Sequence, residues 1–279
     1  AGVNPYQFGM IGSTDTHTAL STNAENNFFG KMASKEPKPG RAFGTDKENP
    51  ELAITRAAWQ TAAAGVTAVW ANENTREDIF DAMQRTETFA TTGPRIRVRF
   101  FGGFAFTEED ARTRQPAALG YSKGVPMGGE LRAAPSGKPP GFLVAAMKDP
   151  QSGNLDRIQI VKGWLDASGK AQERVYNAAW SDADSRKVDR MGILPLVGNT
   201  FDATTASWTN TIGSAELITV WKDPDIDPTV KAFYYARVIE IPTPRWTTYD
   251  AVRFAQDIPE GAPVSIQERA YTSPIWYMP

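Results

Sequence analysis

Arg95-Ile96-Arg97-Val98-Arg99-Phe100 alternates basic and apolar residues with a period of two. In an extended chain successive side chains leave on opposite faces, so Ile96, Val98 and Phe100 share one face and the arginines the other. The pattern predicts a half-buried strand with arginines on its outer face. Further strand-like runs follow at 141–147, 156–164, 173–180, 215–221 and 233–241, separated by segments carrying Gly, Pro, Asp, Asn and Ser. No amphipathic helical period stands out among them. Residues 96–279 therefore read as an antiparallel β-sandwich.

Upstream of Thr92-Gly93-Pro94 the texture differs. Tyr6 to Ile11 reads as a short strand, and Ser21 to Lys47, rich in Asn, Lys, Pro and Gly, as a long loop of the kind that often carries function. Asn49-Pro50-Glu51 supplies a cap, a first-turn proline and an early acid for a helix with Leu52, Arg56, Trp59 and Ala63 on one side, stopped by Gly65. Val66 to Trp70 reads as a buried strand. Asn74 or Thr75 then caps a helix from Arg76 to about Arg85 with Ile79, Phe80 and Met83 as its inner stripe. Strand, helix and strand in this order predict α/β units on a mostly parallel sheet over residues 1–95.

Composition narrows the function classes. Thirty basic against 32 acidic side chains leave a net charge of -2, which does not suit a nucleic-acid partner. The absence of cysteine excludes disulfides, thiolate zinc sites and thiol catalysis. No apolar run approaches the roughly 20 residues needed to span a bilayer. The chain opens Ala1-Gly2-Val3 with neither methionine nor a signal-like stretch, so it reads as processed or truncated, and a periplasmic or secreted location is the expectation.

The single histidine is His17, in Gly12-Ser13-Thr14-Asp15-Thr16-His17. At the carboxyl end of a strand, residues i and i+2 share a side, so Asp15 and His17 can converge on one metal or on neighbouring metals. A satisfied surface or core histidine is the plain alternative. Asn26 and Lys31, on the following loop, can reach an anionic ester, although hydration alone accounts for polar loop residues. Arg95, Arg97 and Arg99 offer an anion-binding row or merely a solvated sheet face. Arg245, in the stiff stretch Ile241-Pro242-Thr243-Pro244-Arg245-Trp246, can reach back toward the first domain for substrate or for packing.

Phe8 to His17 with Glu25-Asn-Asn-Phe-Phe-Gly-Lys31 resembles the domain-of-unknown-function 3604 family, described as a branch of the PHP-like (polymerase and histidinol phosphatase) metal hydrolases. The likeness continues through Thr67 to Met83, Ala90 to Arg95, Gly198 to Asp202, Ala236 to Trp246 and Glu268 to Trp276. The resemblance implies closing βα units of a PHP-like (β/α) barrel over 1–95 followed by the β-sandwich. It also implies that Asp15 and His17 ligate a divalent zinc, manganese or iron that activates water, for phosphate esters first and sulfate esters second. Catalytic acids and bases stay unassigned.

Such sites also need an H-x-H motif and further histidines, which this sequence does not contain. The resemblance thus implies a carboxyl-terminal portion that depends on a missing amino-terminal segment or an associated fragment, and that is inactive by itself. A different class is also open. Trp164, Trp180, Trp208, Trp221, Trp246 and Trp276 lie in the β-rich half, where exposed aromatics can make a non-catalytic module for carbohydrate or a partner protein.

Overall fold

The computed structural model describes residues 4, 6–49, 54–63, 65–132 and 138–279. In chain order the elements are β1 (Thr45–Asn49), β2 (Ile54–Ala57), β3 (Val66–Val69), α1 (Arg76–Gln84), β4 (Thr88–Thr91), β5 (Arg97–Gly103), α2 (Pro116–Lys123), β6 (Val125–Pro126), β7 (Glu130–Arg132) and β8 (Gly141–Met147). They continue with β9 (Leu155–Leu165), β10 (Ala171–Trp180), β11 (Glu216–Lys222), β12 (Ala232–Glu240), β13 (Thr243–Pro244), α3 (Trp246–Phe254), β14 (Ser265–Ile266), β15 (Arg269–Thr272) and β16 (Ile275–Met278). The fold is mostly β, with three helices among the described residues and no closed barrel.

Alternation at β5 does what its period requires: Val98 and Phe100 are buried while Arg97 is exposed. Strands β11-β8-β5-β6 make one sheet, and β10-β9-β12-β15-β4-β3, with β16 and β7 attached through β12, make a second. Apolar faces of both meet in one core, where Val98, Phe100, Phe142 and Val144 pack with Ile158, Ile160, Tyr234 and Val238. The Phe100 and Phe142 rings stack at 5.5 Å. Each such side chain taken out of water contributes about 1.5–3 kcal/mol. The second sheet takes strands from both sides of residue 95, because β4 hydrogen-bonds to β15 and Phe89 of β4 belongs to the shared core.

Several expectations are corrected. Over residues 1–95 the sheet is antiparallel rather than parallel: β3 and β4 pair antiparallel, and the one parallel pair among the described residues is β16 with β7. The cause is that α1 is an excursion within a hairpin connection, closed where Trp70 N donates to Glu87 O at 3.1 Å. Helix α1 itself starts as read, with Thr75 Oγ1 accepting from Asp78 N. It buries the small Ala82 and leaves Phe80 and Met83 exposed, so of the expected inner stripe only Ile79 is half-buried.

The helix expected over 49–63 is absent where the chain is described: 54–57 pair with 45–49 as strands, followed by a 3-10 turn at Ala58–Gln60, while 50–53 lie outside the described residues. Tyr6 to Ile11 forms no strand. The backbone groups of Met10 are taken up by side chains instead, as shown below. The β-rich half contains two helices that no apolar stripe announces. Helix α2 is short with Gly120 at its centre, and α3 buries Thr247, Thr248 and Asp250 in place of aliphatic residues.

Candidate functional site

The segment before Asp15 lies on the outer face of β3 and β4, opposite Ala68 and Phe89, which face the core. Met10 N donates to Ser273 Oγ (2.8 Å), and Thr88 Oγ1 donates to Met10 O (2.9 Å). Thr67 Oγ1 accepts from Gly12 N and donates to Gly12 O, at 3.0 and 2.6 Å. A β-carbon at Gly12 would stand 2.7 Å from Val66 O, so only glycine can lie this close. The chain then turns outward through Asp15 at φ +49°, a left-handed conformation that aspartate tolerates.

This turn brings three of the sequence-derived candidates together. Lys31 Nζ lies 2.9 Å from Asp15 Oδ2, and His17 N donates to Lys31 O at 2.7 Å. The Lys31 hydrogen bond holds the Asp15 carboxyl below its ordinary range, with a smaller contribution in the same direction from His17. His17 Nδ1 lies 3.0 Å from the Asp15 carbonyl oxygen. In the tautomer that donates there, Nε2 carries the free lone pair that a metal takes. Both Asp15 and His17 are exposed. Among the described residues no group of three or more His, Cys, Asp or Glu side chains gathers to hold a metal ion.

Asn26 and Arg245 fall elsewhere. Asn26 lines a polar cleft of about 200 Å³, together with Glu25, Arg95, Ser152, Trp208, Tyr249 and Glu268. Arg245 is buried and outside that lining; its Nη2 donates to Thr61 O at 2.7 Å, and its guanidinium lies 5.7 Å from the Trp246 ring. The arginine row is split, since Arg95 reaches the cleft while Arg97 and Arg99 line a separate groove.

Around the cleft sit three buried carboxyl groups that the sequence reading assigned no role. Burial pushes Glu268 up to about 8, helped by the neighbouring Glu25, against a hydrogen bond from Thr92. Burial likewise raises Glu240 to about 8, although Ser152 Oγ donates to its Oε2 at 2.5 Å. Glu25 is raised by burial, partly offset by Trp246 N, which donates to its Oε2 at 2.6 Å. Carboxyls protonated near neutrality can donate a hydrogen bond or a proton. A signal was present at Glu240, a lone acid inside Val238-Ile239-Glu240-Ile241; nothing local marks the other two.

The α3 side of this region is tied down by a buried ion pair. Arg41 Nη2 donates to Asp250 Oδ1 at 3.0 Å, and its guanidinium packs over Trp246 and Phe28 at 4.9 and 5.5 Å.

The molecule is thus a β-rich α/β protein with an exposed acid and imidazole and a half-buried ammonium on one loop, and a carboxyl-walled cleft gathered from distant parts of the sequence. It belongs to the DUF3604 family, described as a protein of unknown function, whose family model matches residues 1–279. No curated protein and no solved structure matches the chain. No helix among the described residues is long and apolar enough to cross a membrane.

Proposed function

We propose that the chain supplies part of the site of a PHP-like, metal-dependent ester hydrolase acting on small anionic esters, phosphate first and sulfate second. The observation that supports this most is the meeting of Asp15, His17 and Lys31 on one exposed loop, with Lys31 Nζ 2.9 Å from the Asp15 carboxylate. An ionised carboxylate and a neutral imidazole suit zinc, manganese or iron. When bound, such an ion supplies a water of lowered pKa and stabilises charge on the leaving oxygen. Asp15 and His17 Nε2 are the ligands from this chain, and Lys31, released from Asp15, pairs with the anionic ester. Two ligands are too few for a hydrolytic site, so the others come from an amino-terminal segment or an associated fragment.

The test is metal content by mass spectrometry together with turnover of an aryl phosphate and an aryl sulfate. The isolated chain should bind metal weakly and turn over little. Asp15→Ala and His17→Ala should each remove the residual metal binding. Robust turnover by this chain alone, indifferent to both substitutions, overturns the reading. A carbohydrate- or partner-binding module is the second reading, favoured by Trp208, the tryptophan that lines the polar cleft. Saturable sugar binding lost in Trp208→Ala would support it.

A further inference from the structure

The register of β5, β8 and β11 places Arg97 beside Met147 and Glu216, and Arg99 beside Ala145 and Ile218. These side chains share the outer face of the four-stranded sheet, since the alternate residues Val98, Ala146 and Leu217 pack toward the core. Helix α2 covers one half of that face, where Leu119 and Val220 pack on Phe101, Phe106 and Leu143. The other half is a groove of about 740 Å³, within the usual size of small-molecule sites. One wall is Ala111 to Arg114 with Pro116; the opposite wall is Trp70.

Arg97, Arg99, Arg112 and Arg114 line the groove, where Glu216 is the one lining carboxylate; outside the lining, Glu109 pairs with Arg112 at 3.0 Å and Glu87 lies 3.9 Å from Arg99. Arg99 is fixed flat against Trp70, its Cζ 3.3 Å from the ring centroid, with Nη1 3.3 Å from Tyr121 Oη. The Nη2 of Arg97 contacts Met147 Sδ, a weak acceptor that does not neutralise it. Arg114 lies 4.0 Å from Glu216, and both are largely exposed. Solvation explains arginines on an outer strand face. It does not explain the apolar floor of Ala145, Met147 and Ile218 between them.

We propose that this groove binds an aromatic carboxylate or sulfonate. The ring lies on the apolar floor beside the Trp70 and Arg99 plane, and the anionic head meets Arg97, Arg112 and Arg114. Guanidinium groups match a planar or tetrahedral oxyanion through paired N–H donors. The site is separate from the Asp15 loop and does not depend on hydrolase activity.

Titration calorimetry of the full chain with 2-naphthalenesulfonate is the test, with 2-naphthol and inorganic sulfate as comparison ligands. The sulfonate should bind at least about tenfold more tightly than either, because head and ring each add to the affinity. Raising the salt concentration should weaken it. Arg97→Gln with Arg114→Gln, both exposed positions that leave the core untouched, should lower affinity by about tenfold or more with an unchanged melting temperature. Equal binding of 2-naphthol reduces the groove to an apolar patch, equal binding of sulfate reduces it to general anion attraction, and unchanged affinity in the double variant places the ligand elsewhere; each overturns the proposal.

Discussion

Arg41 and Asp250 are both nearly inaccessible, and their pairing joins the loop after Asp15 to α3. Removing one partner of such a pair leaves an uncompensated buried charge, which costs about 3–5 kcal/mol. Arg253 Nη1, 3.7 Å from Asp250 Oδ1, keeps part of that compensation, so Arg41→Met should lower unfolding free energy by up to about that much in denaturant titration. Adding Asp250→Leu should recover much of it, because the stranded carboxylate is then gone. Glu240 and Glu268 predict a pH effect of opposite sign to the usual acid behaviour. Their folded values, about 8, lie above the ordinary 4.5, so the folded chain keeps protons that the unfolded chain has released. Their contribution is full below about 4.5 and lost as pH rises through about 8. Glu240→Gln and Glu268→Gln should flatten the fall of melting temperature between those limits; a fall as steep as in the unaltered protein would show that neither carboxyl is held protonated.

Among the elements, β5 was legible because its two faces have opposite chemistry, and its alternation survives in the burial of Val98 and Phe100. The strands from β8 to β12 were legible for related reasons: β8, β11 and β12 are largely apolar runs, β9 and β10 mix polar with apolar residues, and turn residues lie between the strands. Pairing was not legible around α1, since the direction of β4 depends on how the connection closes and not on any local period. Helices α2 and α3 escaped because they pack through small and polar residues. Gly120 shows what α2 needs. A β-carbon there would stand 2.3 Å from the Phe101 ring. Alanine gains about 1 kcal/mol of helix propensity, while overfilling a packed contact costs about 1–3 kcal/mol. Gly120→Ala should therefore lower the melting temperature; a rise would mean that Phe101 moves aside without penalty.

Taken as a whole, the chain puts its candidate site where local sequence reading reaches only halfway. Asp15 and His17 could be found from spacing, and Lys31 from its place on the loop that follows them. The cleft gathers Glu25, Ser152 and Glu268 from distant stretches, and burial of a carboxyl is a property of the packed molecule. The continuous second sheet also makes a prediction at this scale. Because β4 pairs with β15 and shares the core, the chain should melt in one calorimetric transition with matching calorimetric and van't Hoff enthalpies. Two separate transitions would support a division at residue 95.

The same architecture sets an order of events during synthesis. Met10 N rests on Ser273, 263 residues later, so the seat of the segment that leads to Asp15 and His17, begun by Thr67 and Thr88, is completed only when the far end of this sequence has left the ribosome. Closing so distant a contact comes late in folding. Nascent chains, and any chain stalled before residue 273, therefore display the acid and imidazole on a segment that lacks one of its anchors, and its final geometry arises only after translation has passed that point.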